Sequence, residues 1–167
     1  MVVQAGGGRV TVYVFDSGPL IDLFRHYFRE RFPSLWENFD GMVEDGHLTS
    51  TREVSNEVEG YGDKLAEWAK QNRRKVFVTP TVTELEAVRD IFSVDHFQEM
   101  IRKKERMRGR PVADPFVIAR AQCLDNGCVV TTERHTPNAP KIPNVCEYFG
   151  VDWTDLEGFM EREQWRF

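Results

Sequence analysis

The sequence predicts an α/β fold built on a parallel sheet, and three observations predict it. Short runs rich in β-branched and aromatic residues alternate with stretches whose apolar positions follow the helical period. Glycine and proline punctuate the boundaries between them. Acids stand repeatedly at the ends of those elements: Asp16 after Val10-Thr11-Val12-Tyr13-Val14-Phe15, Asp114 before Pro115-Phe116, and Glu133 after Val129-Val130-Thr131-Thr132. In open α/β sheets ligands bind beyond the carboxyl ends of the strands, which is where Asp16 falls.

Taken in order, the first strand ends at Asp16 and a Ser17-Gly18-Pro19 turn follows. Leu20 to Glu30 reads as a helix, with Leu20, Leu23, Phe24, Tyr27 and Phe28 on one face. Phe32-Pro33-Ser34 breaks it. Ser34, with Glu37 three residues on, predicts a capping box for a helix over 35–44. Gly46 to Ser50 reads as a second strand, and Ser50 or Thr51 caps a helix carrying Glu53, Val54, Glu57 and Val58. Gly60 and Gly62 end that helix. Asp63 to Lys75 is amphipathic, with Leu65, Trp68 and Ala69 on its apolar side. Val76-Phe77-Val78 is a short strand, and helices are predicted over 83–92 and 96–106, followed by a Gly109-Arg110-Pro111 loop. Pro115 to Asn126 reads as a helix with Asp114 at its N-cap, closed by Gly127. Cys128 to Thr132 is a strand and 136–143 a proline-rich loop. Two short helices follow, over 144–149 and 155–163.

The 167 residues suit one domain with a single core, and hydrophobic residues at 41% with twelve Phe are enough to build it. There is no internal repeat and no internal boundary, so residues 10–167 form one domain behind a flexible tail, 1–9, that contains Gly6-Gly7-Gly8. No apolar run approaches a transmembrane span, and the start lacks the apolar core of a signal peptide. Three cysteines, Cys123, Cys128 and Cys146, lack metal-ligand spacing and read as reduced residues of a cytoplasmic protein.

A net charge of −5 argues against general nucleic-acid affinity. The charge is uneven, however. Residues 102–110 carry six bases (Arg102, Lys103, Lys104, Arg106, Arg108 and Arg110) and one acid, a net +5 that leaves −10 for the rest of the chain. A basic segment beside an acidic body is compatible with holding a phosphate backbone near a metal site. A solvated helix face is the plainer reading of the same run.

Hydrolysis of a phosphodiester needs an activated water and neutralisation of a developing alkoxide, and Mg²⁺ or Mn²⁺ on a few converging carboxylates provides both. Asp16, Glu57, Asp114 and Glu133 are the candidates. Each has a bland alternative: Asp16 and Asp114 as helix caps, Glu57 as one solvated acid among Glu53 and Glu59, Glu133 as a loop acid. Glu53 lies one turn before Glu57 on the same helix face and competes with it as the second acid. His26, His47, His96 and His135 show no metal-ligand spacing; His135 reads as a loop histidine without a partner. Arg120 and Arg134 are weaker candidates for phosphate contacts. Trp153, Phe159, Met160, Trp165 and Phe167 form an apolar tail that either packs on the core or covers a partner.

These residues together resemble the PIN-domain nucleases, in particular the toxin ribonucleases of VapC type. Val12-Tyr13-Val14-Phe15-Asp16-Ser17 is similar to their first strand and acid. Thr49-Ser50-Thr51 with Val54 and Glu57 is similar to their second acidic helix, Val112 to Ala121 around Asp114 to their third motif, and Val129 to Glu133 to their fourth. The resemblance spans residues 10–151. Glu133 departs from it, since the fourth acid is usually Asp, and the chain is longer than a minimal domain of that kind. The resemblance implies a PIN-like three-layer fold with four or five parallel strands. It implies a Mg²⁺- or Mn²⁺-dependent endoribonuclease of a toxin–antitoxin pair. Asp16 and Asp114 would be principal metal ligands, Glu57 and Glu133 would bind directly or through water, and Ser17 and Thr131 would orient them. RNA would be the substrate, an antitoxin protein the partner, a homodimer a compatible assembly, the cytoplasm the location, and no membrane would be involved.

Two rivals compete. A phosphatase of the haloacid dehalogenase type also starts with a strand ending in Asp, but needs a second acid where this chain has Gly18. A non-catalytic RNA-binding or assembly module would keep the fold without the chemistry. Phosphate-cradling Gly-rich motifs are absent.

Overall fold

A computed structural model describes residues 9–99 and 112–167. The expected tail residues 1–8, most of the helix expected over 96–106 and the whole basic run 102–110 lie outside the described residues. Five parallel strands form one sheet in the order β3-β2-β1-β4-β5. They are β1 (Val12–Phe15), β2 (Leu48–Thr51), β3 (Phe77–Val78), β4 (Gly127–Val130) and β5 (Asp152–Thr154). Among the described residues eight helices separate and flank them: α1 (Ser17–His26), α2 (Pro33–Glu44), α3 (Arg52–Val58), α4 (Asp63–Gln71), α5 (Val82–Phe92), α6 (Asp114–Cys123), α7 (Ile142–Phe149) and α8 (Leu156–Arg162). Residues 95–99 are also helical. The α/β expectation therefore holds with five strands, and helices on both faces make it a three-layer arrangement consistent with the PIN-like form.

The sheet is buried because β1 and β4 contribute Tyr13, Val14, Phe15, Cys128, Val129 and Val130, all essentially inaccessible. Side chains alternate across a strand, and Tyr13 and Phe15 share one face. There Phe159 of α8 meets both rings edge-on at 4.8 and 5.1 Å, and Phe39 of α2 meets Phe15. Phe39 continues to Trp36 and Trp68, and Trp68 to Phe77, so rings from α2, α4, α8 and the sheet form one aromatic core. Edge-on pairs of this kind add about 0.5–1.5 kcal/mol each beyond their buried area. On the other face α6 crosses β1, β2 and β4 and packs against α5 and α7. The apolar tail thus belongs largely to the core: Phe159 is fully buried and Trp153, Met160 and Trp165 pack on it, while Phe167 is exposed.

Several sequence expectations are corrected by local chemistry. The first helix begins at Ser17, three residues earlier than expected, because Asp16 rather than Ser17 caps it: its Oδ1 accepts from the Ser17 N–H at 2.8 Å. The capping box at Ser34 does not form, because Pro33 already occupies the first helical position and Phe32 precedes it. Asp114 is the first residue of α6, not its cap, and Ala113 is. Gly127 opens β4 instead of closing α6; a Cβ there would lie 2.2 Å from the Ala121 carbonyl oxygen, so the return from helix to strand admits only glycine. Strand β5 went unpredicted, since three half-exposed residues carry no alternation to read. Thr51 caps α3, as one of the two expected residues, accepting from the Val54 N–H.

Cys128 and Cys146 are buried, Cys123 is exposed, and all three are free thiols. Burial pushes the Cys128 and Cys146 thiols up, so both behave as small apolar residues. Arg120, a phosphate-contact candidate in the sequence, instead sits inside the protein. It bonds Glu84 Oε1 at 3.0 Å and Thr49 Oγ1 at 3.0 Å, tying α6 to α5 and β2. His135 does have a partner: its ring reaches Glu147 at 2.6 Å and stacks on Trp153. No helix among the described residues is long and apolar enough to cross a membrane.

Candidate active site

The strand order reverses direction between β1 and β4. From β1 the chain steps outward to β2 and β3, then returns across the sheet to β4 and β5. At such a switch point the loops leaving two adjacent strands diverge, which opens a crevice beyond their carboxyl ends. Asp16 follows β1 directly, and Thr131, Thr132 and Glu133 follow β4. Helix α6 leads back into β4, so it runs antiparallel to the strands and presents its N-terminus, with Asp114, at the same edge. Helix α3 leaves β2 there and carries Glu57.

Asp16 is the centre of the arrangement and is only 6% exposed. One oxygen accepts from the Ser17 N–H and the other from the Thr131 hydroxyl at 3.1 Å. The same hydroxyl oxygen accepts from the Glu133 N–H at 3.1 Å, so Thr131 links the first and fourth acids. Burial raises the Asp16 carboxyl from 3.8 to about 8, and the charges of Asp114, Glu57 and Glu133 add to the rise against the Ser17 hydrogen bond. All four predicted acids therefore act on one point. Asp114 is 4% exposed. It stands in the first turn of α6, at the positive end of the helix dipole.

Glu57 and Glu133 have additional tasks. Glu57 Oε1 accepts from the Ala113 N–H at 3.2 Å, immediately before Asp114, and so fixes the approach to α6. Glu133 Oε2 accepts from the Ile142 N–H at 2.8 Å, at the first residue of α7. A loop acid is thereby converted into an anchored one. The two acids of α3 differ in their surroundings. Glu57 is among the charges that act on Asp16, while Glu53 is buried and paired through Oε1 with Arg52 at 2.9 Å. Its Oε2 is buried without a hydrogen-bond partner.

Gly18 is a residue of the site that the sequence did not single out for this role. A Cβ there would lie 2.4 Å from Thr132 Oγ1 and 2.9 Å from its Cγ2, so the start of α1 and the loop carrying Glu133 touch through a bare glycine. The Ser-Gly-Pro triplet signals a turn; it carries no trace of the distant loop that needs the space. The same contact disfavours a side chain at position 18, where the dehalogenase-type arrangement needs its second acid.

The donor set is one of hard carboxylate oxygens, the type that suits Mg²⁺ or Mn²⁺. A divalent cation would also relieve the repulsion that raises Asp16. Among the described residues no three His, Cys, Asp or Glu side chains stand drawn together as a ready cation cage. Glu57 and Glu133 are held by main-chain amides instead, facing Asp16 at electrostatic range. Asp16 and Asp114, with Glu57 and Glu133 beside them, could hold such an ion; Thr131 and the Ser17 amide support Asp16 from behind.

No curated protein matches the chain. A family model described as "Domain of unknown function (DUF4411)" matches residues 13–167, and the chain belongs to that family.

Proposed function

We propose that this chain is a metal-dependent endoribonuclease acting as the toxin of a toxin–antitoxin pair, in the manner of the PIN-domain nucleases it resembles. The observation that carries the reading is the action of Asp114, Glu57 and Glu133 on the buried Asp16 at the switch point of the sheet. Mg²⁺ or Mn²⁺ held by Asp16 and Asp114, with Glu57 and Glu133 in support, would supply an activated water and neutralise the departing alkoxide of an RNA phosphodiester. The protein's own part is to present those oxygens. Thr131 and the Ser17 N–H fix both Asp16 oxygens, and Glu57 holds the backbone that presents Asp114. The toxin role brings with it a cytoplasmic site of action, an inhibitory antitoxin as partner and a homodimer as a compatible assembly.

The test is cleavage of a mixed RNA substrate with Mn²⁺, Mg²⁺ or EDTA. Asp16→Asn and Asp114→Asn are each expected to abolish metal-dependent cleavage while leaving the chain folded. Cleavage by either variant at near the parental rate would remove the assignment. Glu57→Gln is expected to lower cleavage more than Glu53→Gln.

One observation favours a second reading. Glu57 and Glu133 are engaged in holding main-chain amides, a structural use that a non-catalytic RNA-binding or assembly module would equally make of them. Thermal unfolding separates the two: a cation site is stabilised by Mn²⁺ in proportion to its occupancy, and a set of helix-capping acids is not.

A further inference from the structure

A groove of about 500 Å³ opens on the far flank of α3, beside the edge strand β3. Arg52 and Asn56 line it from α3, Arg73 and Arg74 from the segment after α4, and Thr79 from the end of β3. No carboxylate lines it among the described residues. Arg73 and Arg74 are exposed and form no ion pair among the described residues. Arg52 is paired with Glu53, yet its side chain stays half exposed at the groove mouth. In a chain of net charge −5 such a cluster is a local exception.

We infer that this groove holds the phosphate backbone of the RNA strand and leads it to the carboxylate site; the inference rests on the nuclease reading. Arginine's planar fork matches phosphate oxygens bidentately, and the Thr79 hydroxyl adds a neutral donor. The groove and the site share α3. Arg52 and Asn56 lie four residues apart on one face, and Glu57 follows Asn56. At 1.5 Å of rise per residue, Arg52 and Glu57 are only about 7.5 Å apart along the helix axis. Glu57 lies roughly 140° further round the helix than Arg52, so a strand seated on the arginines passes part-way round α3 to reach the acids.

The neighbouring surface gives the path a direction. Ser55 and Arg73 also line a second groove, but there they stand with Glu59, Asp63, Glu67 and Lys70. Three carboxylates against two bases make that side less favourable to a polyanion than the β3 side, which no carboxylate lines among the described residues. Phe77, beneath the arginines, is buried and offers no ring face for base stacking. Contact is thus with the backbone, which positions a strand without selecting its sequence.

The experiment uses the full chain carrying Asp16→Asn, which removes cleavage, and a labelled single-stranded RNA of mixed sequence. Fluorescence anisotropy is followed as salt is varied. Arg73→Gln with Arg74→Gln is expected to weaken binding by roughly tenfold at low salt. It should reduce the slope of log affinity against log salt by about 1.4, the value for two phosphate contacts on a single strand. Arg73→Lys with Arg74→Lys, which keeps the charge, should retain most of that slope. Equal thermal midpoints exclude misfolding as the cause. Unchanged affinity and slope in the Gln pair would overturn the groove and leave the nuclease reading intact. Absence of RNA binding by the Asp16→Asn chain itself would overturn both. Equal loss of binding to an acidic peptide probe would make the surface a protein dock and overturn the assignment to RNA. Loss of RNA binding in the Gln pair, with cleavage never observed in the parent, would support the groove and reject the nuclease.

Discussion

Replacing Asp16 by Asn should stabilise the metal-free protein at alkaline pH, and the size of the effect can be worked from the site. Burial, joined by Asp114, Glu57 and Glu133, raises the carboxyl from 3.8 to about 8. The folded state therefore holds this proton more tightly than the unfolded chain does. Stability from this group is fully present below pH 4 and is lost progressively as pH rises to about 8. At 1.36 kcal/mol per pKa unit the full loss is about 6 kcal/mol, against a total stability of about 5–15 kcal/mol for a domain. Asn keeps the shape and both hydrogen bonds: its carbonyl oxygen can accept from the Ser17 N–H, and the Thr131 hydroxyl can turn to accept from its amide. It carries no charge to expel. In chelator, denaturant unfolding should show Asp16→Asn only about 1 kcal/mol more stable than the parent at pH 4.5, and several kcal/mol more stable at pH 8.5. The difference between the two proteins cancels every other titrating group that they share. Parallel stability profiles, or a variant destabilised at pH 8.5, would refute the account of repulsion at the site.

Three further outcomes follow from the geometry. Glu84→Ala should cost about 3–5 kcal/mol in denaturant unfolding, because it leaves the Arg120 guanidinium buried beside Thr49 without its carboxylate; a cost below 1 kcal/mol would mean that Arg120 is free to turn outward. Phe159→Ala should cost about 3–5 kcal/mol, since it removes the ring that joins Tyr13, Phe15 and Trp165, and circular dichroism melts would show it. Gly18→Ala should lower RNA cleavage more than stability, because the new methyl displaces Thr132 and with it the Glu133 loop; unaltered cleavage would show that the loop position is immaterial.

The residues that made the fold legible are those whose neighbours in space are also neighbours in sequence. Val12 to Phe15 announces a buried strand, Thr51 announces a cap, and the Ala113-Asp114-Pro115 step announces a helix start, because each depends on local backbone chemistry. The four acids were legible as a set for a related reason: each sits at an element end, and in a parallel sheet those ends meet at one edge. What stayed hidden depends on distant contacts. Nothing near Arg120 in sequence reports Glu84, which is 36 residues away. Nothing near His135 reports that Glu147 and Trp153 will face it. Gly127 was read as a helix terminator because its local signal is the same as that of a glycine needed for close approach. Strand β5 was invisible because pairing with β4, not its own pattern, makes it a strand.

Three of the four acids hold main-chain amides, and that structural task bears on what their charge is for. Asp16 caps α1, Glu57 binds the Ala113 amide and Glu133 binds the Ile142 amide. Capping alone does not require carboxylates: Asn or Ser caps a helix about as well as Asp and brings no charge. Scattered caps would also not need to face one another. Here Glu57, Glu133 and Asp114 press on one buried carboxyl, that of Asp16, at a cost in stability that neutral groups would avoid. Repulsion concentrated at the crevice where α/β sheets bind ligands is the pattern expected of a site arranged for a positively charged ligand. The main-chain bonds of Glu57 and Glu133 then explain how the chain tolerates that charge before any such ligand arrives.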